Sequence, residues 1–191
     1  MRPQRKHSAP STGTFVVLLR GINVGGKNKF AMTAFGAALE ALGCSAVRTY
    51  IQSGNAVVKA PRAVAQNLAR ALSAHLEAEH ALRIPVVVRS ALEWRAALRA
   101  SPFIAAGVDP DQVHVAFLAD EPGLARAAQL DPARSPGDEF VLRGRELHLR
   151  LPNGVARSKL TNAYFDATLA TTSTMRNWRT VQALAAMLDE A

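Results

Sequence analysis

A chain of 191 residues that is 49% hydrophobic can bury a substantial core, as one large domain or two small ones. No apolar run reaches the length of a membrane span or a signal-peptide core, and the single cysteine, Cys44, excludes an internal disulfide and a cysteine-ligated zinc cluster. These features predict a cytoplasmic protein without a membrane partner, and the net charge of +8 divides unevenly: residues 1–100 carry 14 basic and 4 acidic side chains, residues 101–191 carry 9 and 11.

In chain order, residues 1–13 contain two prolines, two serines and almost nothing apolar, and read as a disordered basic arm. Phe15–Leu19 reads as a buried strand. Met32, Phe35, Leu39 and Leu42 recur at helical spacing, with Gly43 as the stop. Val47–Ile51 and Ala56–Lys59 flank the turn Gln52-Ser53-Gly54-Asn55 as a hairpin. Pro61 then opens a long helix with Val64, Leu68, Leu72 and Leu76 on one side, and Ile84–Arg89 returns as a strand. The order over residues 14–89 is βαββαβ.

Ser90 and Glu93 have capping-box spacing and open a connecting helix through Leu98 that ends near Ser101-Pro102, within a connecting helix and loop over 90–111. Residues 112–191 then repeat the plan: a strand at Val113–Leu118, a short helix at Pro122–Gln129, and a hairpin of Phe140–Leu142 with Leu147–Leu151. A helix capped by Ser158 follows, then a short strand at Thr171–Thr174 and a terminal helix from Trp178 to Leu188. The expected fold is α+β: tandem ferredoxin-like units with antiparallel sheets, a connecting helix and a C-terminal helix, with no residue-level repeat between the units.

The segment from Arg20 to Lys29 sets three glycines, two asparagines and three cations between a strand and a helix, which is the chemistry of an anion-holding loop. In a βαββαβ unit the loop after strand one and the turn after strand two lie at the same end of the sheet. The expected ligand site therefore gathers Arg20, Gly21, Asn23, Gly25, Gly26 and Lys27 with Ser53, Gly54 and Asn55. A second polar cluster is expected from Asn153, Gly154, Arg157, Ser158 and Lys159 approaching Arg176 and Asn177. The competing reading makes these glycines turn formers and the asparagines backbone ties.

Other readings are weaker. Gly21–Asn28 satisfies most of a phosphate-loop pattern, but Asn28 stands where a magnesium-binding hydroxyl belongs. RNA-recognition domains share the βαββαβ plan, but Ala56-Val57-Val58 supplies none of their stacking aromatics. His114 and His148 fall on neighbouring strands as ordinary sheet-surface histidines, without metal-ligand spacing. No acid, base or nucleophile can be named and no cofactor is implied. The residues favour binding of a phosphate-bearing small molecule or nucleotide, with sequence-tolerant nucleic-acid binding and a protein-interaction module as alternatives.

The stretches LLRGINVGGKNKFAMTAF, RTYIQSGNAVV, LPNGVARSKL and STMRNWRTVQAL closely resemble the bacterial proteins grouped as domain of unknown function 1697, over roughly Phe15 to Leu188. The resemblance implies an α+β protein of tandem ferredoxin-like arrangement and brings no established activity or catalytic residues. Phe30-Ala31 departs from the smaller aliphatic and proline that many members place before the first helix.

Overall fold

The computed structural model describes residues 11–23 and 28–190. The fold is mixed α+β, with two four-stranded antiparallel sheets. The first is built from β1 (Thr12–Leu19), β2 (Ser45–Tyr50), β3 (Asn55–Pro61) and β4 (Val86–Ser90), in the spatial order β2-β3-β1-β4. The second is built from β5 (Val113–Leu118), β6 (Glu139–Arg143), β7 (Glu146–Arg150) and β8 (Ser173–Asn177), in the order β6-β7-β5-β8.

Each face of the sheets finds a cover. Helices α1 (Met32–Ala41) and α2 (Arg62–His80) bury Phe35, Leu39, Leu68, Leu72 and Leu76 against Val17, Leu19 and Val58 of the first sheet. Helices α3 (Ala91–Arg99), α4 (Pro102–Ala105) and α7 (Trp178–Asp189) supply a core shared by both sheets, where the Trp94 ring stacks on Phe117 at 4.4 Å and its indole N–H donates to Val181 O at 3.1 Å. Helices α5 (Leu124–Ala127) and α6 (Asn162–Leu169) lie on the remaining face, with Phe165 and Leu169 against Ala116, Leu118 and Leu149.

Several boundaries differ from expectation for local reasons. β1 starts at Thr12, inside the predicted arm, because Thr12 and Gly13 pair with Pro61 and Ala60. Helix α1 starts at Met32 on an extended Ala31 with no side-chain cap. The connecting helix α3 ends at Arg99, near Ser101-Pro102 as expected, and the short helix α4, capped by Ser101, is additional. Ser158 does not cap α6. Its hydroxyl accepts from Leu160 N at 3.0 Å, and Thr161 caps the helix by accepting from Tyr164 N. The last strand begins at Ser173, where pairing with Leu118 starts.

The second sheet repeats the register of the first. Leu19 pairs with Val86 and Val16 with Arg89; Leu118 pairs with Ser173 and Val115 with Arg176. Leu19 N donates to Gly54 O at 2.8 Å, and Leu118 N donates to Arg145 O at 2.9 Å. Ser90 and Asn177, one residue beyond the two arginines, cap α3 and α7. Arg89 and Arg176 are therefore structural equivalents, although their surrounding sequences share no recognisable repeat.

Gly54 is required where it stands. Its φ is +73°, and a Cβ there would lie 2.6 Å from Leu19 Cβ. Gly54→Ala is expected to cost more than about 2 kcal/mol, from left-handed strain plus overpacking; a urea midpoint matching the parent would refute this.

Candidate functional site

The loop after β1 and the turn after β2 do meet, and Asn23 joins them. Its Nδ2 donates to Phe30 O at 2.9 Å and to Gln52 O at 2.7 Å, while its Oδ1 accepts from Phe30 N at 2.9 Å. Both amide hydrogens are consumed. Asn23 sits at φ 54°, a left-handed conformation asparagine tolerates, and Asn28 closes the base of the loop by donating to Gly21 O at 3.0 Å. Asn23 thus fixes the loop internally and does not offer its amide outward. Gly25, Gly26 and Lys27 lie outside the described residues.

Asn55 is fully buried, and its Nδ2 donates to Tyr50 O at 3.2 Å and Ser53 Oγ at 2.9 Å. Its Oδ1 accepts from Arg176 Nε. Arg176 also donates to Thr174 Oγ1 and Met175 O, both at 2.8 Å, to Leu19 O at 2.6 Å and to Ser53 O at 3.3 Å. Burial pulls its pKa down to about 10, which leaves the guanidinium charged at neutral pH. Arg20, beside it, bonds Asp166 of α6 and donates to Ser173 O at 3.0 Å; Asp166 in turn accepts from Ser173 N at 2.7 Å.

The expected second cluster does not form as drawn. Arg176 reaches across to Asn55 of the first sheet, because its register position aims it at the end of β1. Asn153, Gly154 and Arg157 are exposed around a 3-10 turn, and the Lys159 backbone donates to Ser135 Oγ at 3.0 Å. Asn177 caps α7 by accepting from Thr180 N at 2.8 Å. No hydrogen bond among the described residues joins residues 153–159 to Arg176 or Asn177.

The equivalent seam at the other junction is balanced. Arg89 is 1% exposed and donates through Nε to Glu146 Oε1 at 2.9 Å, through Nη2 to Leu118 O and Arg145 O, and through Nη1 to Val88 O. Arg145 is paired with Glu93. Glu146 occupies the register position of Asn55, since Phe117 pairs with Glu146 as Leu18 pairs with Asn55. Two arginines thus face two glutamates at one seam, whereas at the other Arg20 pairs with Asp166 and Arg176 meets no carboxylate among the described residues.

Sequence reasoning missed Asp166, Arg89 and Glu146. Arg89 carried a signal, an arginine closing a strand of three valines, but nothing local identifies its partner 57 residues away. His114 and His148 lie on adjacent strands, as expected, yet both are buried rather than on a sheet surface. Burial raises the Cys44 thiol pKa, which disfavours the thiolate a nucleophile needs. No group of three metal-ligating side chains occurs among the described residues, and no helix there is long and apolar enough to cross a membrane.

The fold is shared with a solved structure, that of a conserved bacterial protein, SP0830, from Streptococcus pneumoniae. Identity is 22% and the TM-score is 0.69, with 93% of this chain and 99% of that chain covered. No curated protein matches. The family model described as a protein of unknown function matches residues 13–148, and the chain belongs to this domain of unknown function 1697 family.

Proposed function

We propose that the chain binds a phosphate-bearing small anion or nucleotide at the seam formed by Arg20, Ser53 and Arg176. One observation carries this reading: Arg176 hydrogen-bonds the neutral Asn55 where its twin Arg89 meets Glu146, so this seam has more positive than negative charge. Exposed Lys29 and the Gly21 turn lie on the adjoining loop, in the strongly basic half of the chain. Asn23 and Asn55 act as struts, and the cations do the neutralising. In this reading the protein is cytoplasmic and uses no cofactor, and two ferredoxin-like units, residues 14–89 and 112–191, are linked by 90–111 and meet at the seam. The sheet orders β2-β3-β1-β4 and β6-β7-β5-β8 support that plan.

Ser53 supplies the test, because its hydroxyl accepts from Asn55 and its carbonyl accepts from Arg176. Ser53→Asp places a carboxylate beside the guanidinium in a turn that favours aspartate, whereas Ser53→Asn keeps the site neutral. Pyrophosphate at constant ionic strength is expected to raise the melting temperature of the parent and of Ser53→Asn, and to leave Ser53→Asp unmoved. Equal responses in all three, or none in the parent, would refute the site. Binding of an oligonucleotide with a steep salt dependence, without a pyrophosphate response, would favour nucleic acid instead.

A further inference from the structure

The two seams differ in a second way, at the free edges of the sheets. Arg20 N donates to Pro85 O at 3.0 Å, which fixes the hydrogen-bond phase of β1 with β4. Alternation along an antiparallel pair then directs the backbone groups of Val87 and Arg89 toward β1, and those of Val86, Val88 and Ser90 away from it. Two side-chain bonds agree with this phase: Ser90 N donates to Glu93, and Val88 O accepts from Arg89 Nη1 at 3.1 Å. Val86 N–H, Val86 C=O and Val88 N–H are left facing outward.

The equivalent edge, β8, is closed at Ser173, the register position of Val86. Ser173 N is taken by Asp166 and Ser173 O by Arg20. At the register position of Arg20 the second unit carries Ala119, which is too short to do the same. The result is an open trough along β4. One part, about 860 Å³, is lined by Phe15, Ala65, Val88 and Ser90, and the other, about 410 Å³, by Ser73, Ala74, Val86 and Thr172. Ala69 and Ala119 line both parts, which therefore adjoin along β4.

We propose that this trough takes an extended peptide, acidic on one face, as a fifth strand added to β4. An unpaired strand edge supplies main-chain bonds, and the small residues of α2 leave room for alternate side chains. The trough lies between α2 and the Ala119-Asp120 turn, alongside the outward backbone groups of β4. Charge selects the sequence. Of the charged side chains along the trough, Glu77 is paired with Arg83 and Glu93 with Arg145, whereas Arg62 and Arg70 on the α2 wall have no ion-pair partner among the described residues. Eight helical residues span about 12 Å, close to the span of four strand residues at about 3.4 Å each. Carboxylates four positions apart on one face of the peptide therefore reach both arginines. The opposite wall carries Asp120, which favours a basic residue on the alternate face.

A fluorescently labelled, end-blocked peptide, Glu-Thr-Val-Lys-Glu, is the probe. Saturable binding to the full chain is expected by anisotropy, with at least tenfold weaker binding to Arg62→Glu/Arg70→Glu and loss of binding to Val88→Pro. The proline removes an outward N–H on an edge strand and leaves the pairing with β1 intact. Amide exchange supports the same reading if Val86 and Val88 exchange fast in the free protein and become protected with peptide, while Val87 and Arg89 are protected throughout. This arm decides the matter if Val88→Pro does not fold. The absence of binding at millimolar peptide, equal binding of a Lys-Thr-Val-Lys-Lys control, or Val86 and Val88 amides that stay unprotected in the complex would overturn the proposal.

Discussion

Arg89→Met is expected to destabilise the protein by about 3–5 kcal/mol, roughly twice the loss from Arg176→Met. The two arginines occupy the same register position, and each spans from one sheet to the end of a central strand in the other. They differ in what their removal leaves behind. Without Arg89, the Glu146 carboxylate, 17% exposed, keeps its charge in a largely buried seam, and Leu118 O and Arg145 O lose a donor. Without Arg176, carbonyls and an amide lose partners, but no charge is orphaned. An unmet neutral group costs about 1–3 kcal/mol, less than an unpaired buried ion. Methionine keeps most of the apolar stem, so cavity formation contributes little to either value. Urea unfolding of both variants measures the difference, and Glu146→Gln added to Arg89→Met should recover part of the loss. Equal losses would mean that the charge asymmetry carries no weight, and would weaken the anion reading with it.

That asymmetry also marks how far the sequence could be read. Element type and order were legible because periodicity and turn chemistry are local: the 3–4-residue recurrence from Phe35 to Leu42, the Ser-Gly-Asn turn, and the Ser90–Glu93 capping box, which forms with both of its bonds. The meeting of the Arg20 loop with the Gln52 turn followed from topology alone. The direction of Asn23 and Asn55 did not, because an amide beside glycines can serve a ligand or a backbone equally well, and only long-range partners decide. The pairs Arg20–Asp166 and Arg176–Asn55 join residues 146 and 121 apart. Nothing within a local window distinguishes such an arginine from a solvated one. The internal twofold relation was hidden for a similar reason: it is conserved in register and in hydrogen bonds, with asparagine at one seam where glutamate stands at the other.

The largest pH effect should come from His148, whose burial the sequence did not reveal. Its side chain is fully buried, it pairs across the sheet with Val115 and Val141, and neither ring nitrogen has a hydrogen-bond partner. Burial, aided by the nearby Arg143 cation, pulls its pKa from 6.5 to about 4. The imidazole is therefore neutral in the folded state at pH values where the unfolded chain binds a proton. Between pH 6.5 and 4 the unfolded state holds more protons, so stability falls as pH falls, by a total of about 3 kcal/mol, and is insensitive to this group above pH 6.5. His114, whose pKa burial also lowers, adds to the same slope. His148→Leu should make the protein at least as stable at pH 7, since it removes a buried polar group with no partner, and should remove most of the loss between pH 6.5 and 4.5. Urea midpoints measured across that range test both parts. A variant that keeps the full acid slope would transfer the sensitivity to His114 and the carboxylates, while a variant less stable at pH 7 would show that the imidazole packs better in this core than the aliphatic side chain replacing it.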